Sequence, residues 1–453
     1  MPIWGRKMAH ADLAKHSSPF DIDASLQEVA QKCVKCAKCV PSCTIYRIHK
    51  DESTSPRGFL DLMAQVKQES LELDKSLKKI FESCFLCTTC VQVCPFHLPI
   101  DSMIEKIRLA SAHKHGITWH KRAYFYLLRH PRLMDIVFRL CYALSPCAFK
   151  QEGDKLKWRF KGSFSWQKRA FFPFVAKSFL QTHRGIIVPK APLEPKEPLR
   201  KVGLFIGCLG NYNYPQVGKS LLALLDKLNF SVAIPKQVCC GAPAYFTGDF
   251  TTAWFLAKQN IQSLATLATE VEAILVPEAT CISMLKKDYQ HLIESLKDSQ
   301  ERVLWTEKFE KVQVKLQMAS HFLATQTPLS RHLETKAQNP ISVTYHDPCH
   351  AKKVLGIYKE PRSLLKINHK IVEMQESDRC CGFGGVTMQS EHYKLSLKAG
   401  APKALDIVGT KAQVVSAECS ACRMQLNNIL EQIHAPVQFL HPLELLEKSL
   451  SGV

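Results

Sequence analysis

From residue 201 onward the chain repeatedly sets a short apolar run ahead of a longer stretch in which apolar residues recur every three or four positions. "KVGLFIG" and "ISVTYH" read as strands, and the stretches after them, "VGKSLLALLDKL" and "AKKVLGIYKEPRSLL", read as helices. The later runs "SVAIP", "EAILVP", "KIVEM" and "AQVVS" alternate with further helical stretches, which predicts parallel α/β domains. Before residue 110 the pattern differs: "SPRGFLDLMAQVKQESLELDKSLKKIF" has helical spacing throughout. The Pro-rich "VPKAPLEPKEPLR" near residues 188–200 reads as a semi-rigid linker, and the polar stretch near 325–340 as a separator. The expected fold class is α+β and multidomain, with a helical domain over 1–110, a basic helical spacer and linker over 111–200, and α/β domains over 201–330 and 341–453.

A chain of 453 residues with 46% hydrophobic and 22% charged residues fits roughly two to four globular domains. No run of about 18 apolar residues occurs, and the best stretch, 133–149, is broken by Asp135 and Arg139, so a spanning helix is not expected. The first twenty residues lack the apolar core of a signal peptide, which predicts a cytoplasmic chain. In that compartment nineteen cysteines point to metal or redox chemistry rather than disulfides. The net charge of +19 is uneven: residues 101–200 carry twenty Lys/Arg against seven Asp/Glu, an excess of thirteen that leaves six elsewhere.

Eight cysteines fall in two runs, Cys33, Cys36, Cys39, Cys43 and Cys84, Cys87, Cys90, Cys94, the second followed by Pro95 and the first by Thr44. Both have the C-x2-C-x2-C-x3-C spacing of two-cluster ferredoxins, in which the fourth cysteine of a run ligates the other cluster. The expected ligand sets for two [4Fe-4S] clusters are therefore Cys33, Cys36, Cys39 with Cys94, and Cys84, Cys87, Cys90 with Cys43. Zinc usually takes two cysteine pairs across a longer loop, so it fits these compact runs poorly.

The second half of the chain repeats. Cys208 lies 31 positions before "CCGAP", which opens at Cys239 and Cys240; Cys349 lies 31 positions before "CCGFGG", which opens at Cys380 and Cys381. The units are offset by 141 residues, as duplicated domains would be. The first closes with Cys281 and the second with Cys419 and Cys422, with Met284 read as standing where the second unit has Cys422. Burial as small hydrophobes is the ordinary explanation of scattered cysteines; matched recurrence argues against it here, whereas Cys141 and Cys147 fit neither pattern and read as structural. These cysteines follow strands, where open α/β sheets bind ligands. Asp347 and Pro348 read as a helix cap and first residue, placing Cys349 where the helix dipole favours a thiolate. His346 and His350 read as packed or hydrogen-bonded neighbours. Gly382, Gly384 and Gly385 permit positive φ and close backbone approach.

Two ferredoxin runs followed by two "CCG" units resemble the cysteine-rich iron–sulfur subunit of anaerobic glycerol-3-phosphate dehydrogenase, notably in "GCLGNYNYPQVGKSL", "CCGAP", "HDPCH" and "ECSACRMQL". The chain is similar also to the iron–sulfur subunit of glycolate oxidase, around "SPRG", and to heterodisulfide reductase subunits. The resemblance implies electron transfer from an FAD-containing dehydrogenase subunit toward a membrane quinone, such as menaquinone, at the inner face of the cytoplasmic membrane. It also implies that Cys349, Cys380, Cys381, Cys419 and Cys422 hold a noncubane iron–sulfur assembly with bridging thiolates, and that Cys208, Cys239, Cys240 and Cys281 hold a further cluster. An enzymatic alternative makes Cys380 and Cys381 the candidate catalytic pair acting on a disulfide. No G-x-G-x-x-G lies between a strand and a helix, so neither flavin nor NAD is expected on this chain by that route. Basic and aromatic residues interleave in "KRAYFYLLRHPRLMDIVFRL" and "KWRFKGSFSWQKRAFFPF", which suits an anionic lipid surface. Nucleic acid is not an expected partner, because no groove-reading motif is present.

Overall fold

The computed structural model describes residues 26–160, 169–335 and 340–451. The stretch read as lacking a leader, the middle of the second basic–aromatic segment and part of the polar separator lie outside the described residues. No helix among the described residues is long and apolar enough to cross a membrane.

The first part is helical, as its spacing predicts. Ser55 caps helix Pro56–Lys67 by accepting from the Gly58 amide at 3.0 Å, with Pro56 in the first turn where its missing N–H costs nothing. Asp74 does the same for Lys75–Glu82, accepting from Leu77 N at 2.8 Å. Phe59, Leu60 and Met63 meet Leu77 and Phe81 and the Ile100, Met103, Ile104, Ile107 stripe of helix Ile100–His115 in one core. Cys43 belongs to that core, and Cys33, Cys84, Cys87, Cys90 and Cys94 pack against it.

The spacer is only partly helical. Helices Trp119–Arg129 and Pro131–Ala148 are followed by a hairpin of strands β1 (Phe149–Glu152) and β2 (Lys155–Trp158), which basic–aromatic interleaving did not predict. Asp154 in its turn accepts from Arg423 Nε at 2.7 Å and from Asn427 Nδ2 at 2.8 Å, pinning the hairpin to the last third of the chain. Strand β3 (Gly185–Ile187) pairs antiparallel with the next sheet, so that sheet begins before residue 201.

Two parallel sheets follow. The first contains β4 (Arg200–Leu204), β5 (Phe230–Ile234), β6 (Ile274–Val276) and β7 (Leu316–Met318) in the order β3-β5-β4-β6-β7. The second contains β8 (Ser342–Tyr345), β9 (Lys370–Ile371), β10 (Val414–Ser416) and β11 (Gln438–Phe439) in the order β9-β8-β10-β11, the same path without the added edge strand. The register repeats as well: Gly203 opposes Ile274 and Leu204 opposes Leu275, while Thr344 opposes Val415 and Tyr345 opposes Ser416, each pair displaced by 141 residues. The long stretch "AKKVLGIYKEPRSLL" breaks at Gly356, where φ is 72°, into a π-turn at His350–Val354 and helix Lys359–Asn368.

The two units share an apolar core that joins Val217, Leu221 and Leu224 of helix Pro215–Lys227 to Leu443, Leu446 and Leu450 of helix Pro442–Ser451. His441 bridges them: its Nε2 lies 3.2 Å from Pro277 O, and Leu443 N donates to its Nδ1 at 3.2 Å. Burial drives its pKa from 6.5 down to about 3, because the protonated ring cannot be solvated there. The stability it provides is complete above pH 6.5 and is lost as pH falls below that value, by roughly 2 kcal/mol at pH 5 at 1.36 kcal/mol per pH unit. Urea unfolding of wild type and His441→Gln at pH 7 and pH 5 should show the wild type losing more stability between the two; parallel losses would contradict this.

Candidate iron–sulfur centres

In both ferredoxin runs the backbone takes the same left-handed steps. Lys35 and Ala37 have φ of 54° and 64°, and Leu86 and Thr88, at the matching places, 50° and 55°. Non-glycine residues rarely adopt this conformation, so its repetition marks a loop shaped around something. One cavity is lined by Cys33, Cys36, Cys39 and Cys94, and a second by Cys43, Cys84, Cys87 and Cys90. The structure thus brings together each expected set of four, including the exchanged fourth cysteine.

The site cysteines of the duplicated units follow β4, β5, β6 and their counterparts, at the crevice where strand order reverses. In the first unit Cys208 and Cys239 have sulfur atoms 3.6 Å apart, and in the second Cys381 and Cys422 are 3.5 Å apart. The neighbouring thiols Cys239 and Cys281 favour the thiolate at Cys240, pulling it well below its usual value, and Cys380 and Cys422 pull Cys381 down to about 5. Matching amides approach the sulfurs: Gly241 N is 3.5 Å from Cys239 Sγ, and Gly382 N is 3.4 Å from Cys380 Sγ. Converging, mostly buried soft donors with amides aimed at them fit iron–sulfur clusters.

Two sequence expectations change. The repeated register places Cys281, not Met284, opposite Cys422, and places Glu278 where the second unit has Cys419; Glu278 and Cys419 each stand just before a helix. Glu278 is buried and accepts from Ser420 N at 2.7 Å and from the Ser420 hydroxyl, and burial pushes its pKa up to about 7. Asp347 does not cap a helix; it accepts from Arg362 and from Ser377 Oγ at 2.9 Å, while Cys349 itself stands at the position before the π-turn. Burial raises the Cys349 thiol to about 12, so desolvation outweighs any dipole effect. His346 is buried and hydrogen-bonded, as expected, with Nδ1 3.2 Å from Ser377 O, and a ring nitrogen also lies within 4.8 Å of the sulfurs of Cys381 and Cys422. His350 stacks on Phe246, its ring centroid 5.7 Å away. Cys141 and Cys147 lie on helix Pro131–Ala148 and join neither site.

Sequence reasoning also missed how the centres meet. The second ferredoxin run meets the second unit: Lys353 Nζ donates to Thr89 Oγ1 at 2.6 Å, and the thiols of Cys87 and Cys380 are close enough to shift each other's pKa. Between the two units lies an apolar chamber of about 560 Å³, walled by cysteines of both units and by aromatics that include Tyr124, Phe138, Phe171 and Phe172. Its lining comes from every part of the chain. Only the Glu278 position was recoverable beforehand, by carrying the 141-residue offset through Cys419.

These centres define an iron–sulfur protein that couples a dicluster ferredoxin domain to paired cysteine-rich domains. A 4Fe-4S dicluster domain family matches residues 29–98, and a cysteine-rich domain family matches residues 202–286 and 343–427, again displaced by 141. The chain is 28% identical over 433 residues to the probable glycolate oxidase iron-sulfur subunit of Bacillus subtilis, covering 91% of this chain and 92% of that protein. It is 31% identical over 250 residues to lactate utilization protein A of Halalkalibacterium halodurans, covering 54% of this chain and 96% of that protein. It is also 26% identical over 433 residues to a fumarate reductase (CoM/CoB) subunit of Methanothermobacter marburgensis, covering 92% of this chain and 72% of that protein. The chain belongs to this family of iron–sulfur proteins, which includes named oxidoreductase subunits.

The glycine after the second cysteine pair offers a test. A Cβ on Gly382, where φ is 88°, would stand 2.6 Å from Ser396 O and 2.8 Å from Gly400 N. At Gly385, where φ is 77°, it would meet nothing within 4 Å. Gly382→Ala should cost on the order of 3 kcal/mol and lower iron content, whereas Gly385→Ala should cost about 1 kcal/mol. Thermal melting and iron analysis of the two variants check this ordering.

Proposed function

We propose that this chain is the electron-transfer subunit of a flavin dehydrogenase complex, taking electrons from an FAD-bearing partner and passing them to a membrane quinone. Iron–sulfur clusters supply one-electron carriers when bound. Cys33, Cys36, Cys39 and Cys94 would hold one [4Fe-4S] cluster and Cys84, Cys87, Cys90 and Cys43 the other. Cys349, Cys380, Cys381, Cys419 and Cys422 would hold a third, noncubane assembly, and Cys208, Cys239, Cys240 and Cys281 a four-thiolate cluster with Glu278 beside it. The observation that carries the reading is the contact of the second ferredoxin run with the second cysteine-rich unit through Lys353 Nζ, which donates to Thr89 Oγ1 at 2.6 Å and to Asp378 O at 2.9 Å.

The first run suits the partner-facing end. Cys36 is exposed, with exposed Lys35 and Lys38 around it. The chamber suits the acceptor, because aromatic walls favour a planar apolar ring and both sets of unit cysteines face it. The similarity to glycolate oxidase and lactate utilization proteins supports a 2-hydroxy acid as the flavin partner's substrate. The glycerol-3-phosphate alternative rests on the sequence motifs alone; assays of the purified complex with each substrate separate the two.

Helix Pro131–Ala148 supports a membrane location. It turns Met134 and Phe138 toward the chamber and leaves Leu133, Ile136, Leu140 and Leu144 exposed, flanked by exposed Arg132, Arg139 and Lys150. An apolar face with basic flanks complements anionic lipid. The full chain should float with acidic liposomes, and the triple variant Ile136→Asp, Leu140→Asp, Leu144→Asp should not; equal flotation sinks the lipid assignment.

For the relay, Cys380→Ser should abolish quinone reduction by the complex and lower iron content while the ferredoxin signals persist. Val386→Trp, which intrudes on the chamber wall, should raise the KM for quinone about ten-fold or more with iron content unchanged. Turnover of small disulfides by the chain alone, with no effect of either variant on quinone reduction, would favour the disulfide-reducing alternative.

A further inference from the structure

Beside the second ferredoxin cavity, two helical segments bring carboxylates and a histidine into one cluster that electron transfer leaves unused. Asp101 and Glu105 are four residues apart on helix Ile100–His115. Asp288 closes the π-turn Met284–Asp288, and His291 lies three residues on, in helix Tyr289–Glu294. Ligand atoms of Glu105, Asp288 and His291 all lie within 4.8 Å of one another. Ligands bound to one ion at about 2.0–2.2 Å stand roughly 3–4.4 Å apart, so a small inward adjustment closes the set.

A second observation points at the same place. Asp101 is 7% exposed, and its Oδ1 is buried without a hydrogen-bond partner, while its Oδ2 accepts from Lys287 Nζ at 2.6 Å. Its charge acts on both Glu105 and Asp288, and it also borders the cavity lined by Cys43, Cys84, Cys87 and Cys90. Lys287 pairs with Asp101, and Glu105 and Asp288 lie buried beside that pair. Burial and mutual repulsion accordingly push Glu105 well above the usual carboxylate range and Asp288 up to about 7. The His291 ring, with Nδ1 3.5 Å from Ser102 Oγ, is held toward its neutral, ligating form by burial.

We propose that Glu105, Asp288 and His291, with Asp101 beside them, form a binding site for one divalent first-row cation, manganese or ferrous iron, that uses no cysteine. The cation would displace the protons that burial holds on Glu105 and Asp288. Oxygen donors with one imidazole suit these metals, and carboxylates with a histidine on facing helices are a recurrent way of holding them.

The test uses the full chain, purified anaerobically with its iron–sulfur content intact and equilibrated by dialysis with Mn²⁺, a cation that thiolate sites take poorly. Bound manganese is read by mass spectrometry beside iron and sulfide. The expected result is one manganese per chain in wild type, with affinity lowered about ten-fold or more in Glu105→Gln and in Asp288→Asn at unchanged iron content. Wild type that takes up no manganese at millimolar concentration overturns the proposal, whatever the variants do. So does binding by both variants that equals the wild type's.

Discussion

One buried guanidinium ties the helical domain to the duplicated sheets. Arg108 donates to Phe81 O at 3.0 Å, Glu82 O at 3.1 Å and Cys84 O at 2.7 Å, so it holds the entry to the second cysteine run. It also donates to Phe246 O at 2.8 Å, in the segment that follows the first unit's cysteine pair. The approach is close enough to need Gly248, where a Cβ would stand 2.4 Å from Arg108 O. Lysine could keep the charge but not the planar fork that reaches several carbonyls at once. Without the guanidinium these carbonyls would lose their shared buried donor, Phe81 O keeping only the Cys84 amide at 3.4 Å, and the second run would lose its fixed place against the units.

Duplication fixes the other half of the design, and the copies have diverged where chemistry is at stake. Their strand order and register match, yet Glu278 stands where the second unit has Cys419. The carboxylate reaches across to the partner loop: Ser420 donates to it, and Ala279 N donates to Glu418 O at 2.8 Å. The lost thiol has become a joint between the units. Thr280 Oγ1, 3.5 Å from Cys419 Sγ, lies in the same seam.

The cysteine runs, their exchanged fourth positions and the strand-helix alternation were legible in the sequence, because each rests on spacing within a short segment. What was not legible required knowing which segments meet. Pairing Met284 with Cys422 followed the local C-x2-C pattern, whereas the sheet register carries the longer period through Glu278. Asp347 looked like a cap because Asp-Pro usually is one, but Arg362, fifteen residues away, claims its carboxylate. The hairpin at β1 and β2 has no strong alternation of its own and is anchored through Asp154 to Arg423 on a distant helix. The chamber, drawn from every part of the chain, had no sequence signature at all.

The charge pattern acquires a meaning at the junction of the ferredoxin and cysteine-rich centres. Lys353 Nζ donates to Thr89 Oγ1 at 2.6 Å and to Asp378 O at 2.9 Å, and its field reaches Cys87 and Cys349. Lys403, buried and bonded to Glu376 O, is attracted by Cys381, although burial still lowers its pKa to about 8. With Arg108 beside Cys84, three cations surround the second run and the second unit. Near the first run, among the described residues, stand exposed Lys35 and Lys38 and the half-buried Arg57. Buried cations stabilise added negative charge more than solvent-screened ones do. In the proposed relay the junction is therefore the favourable resting place for an electron that has entered at the exposed first run.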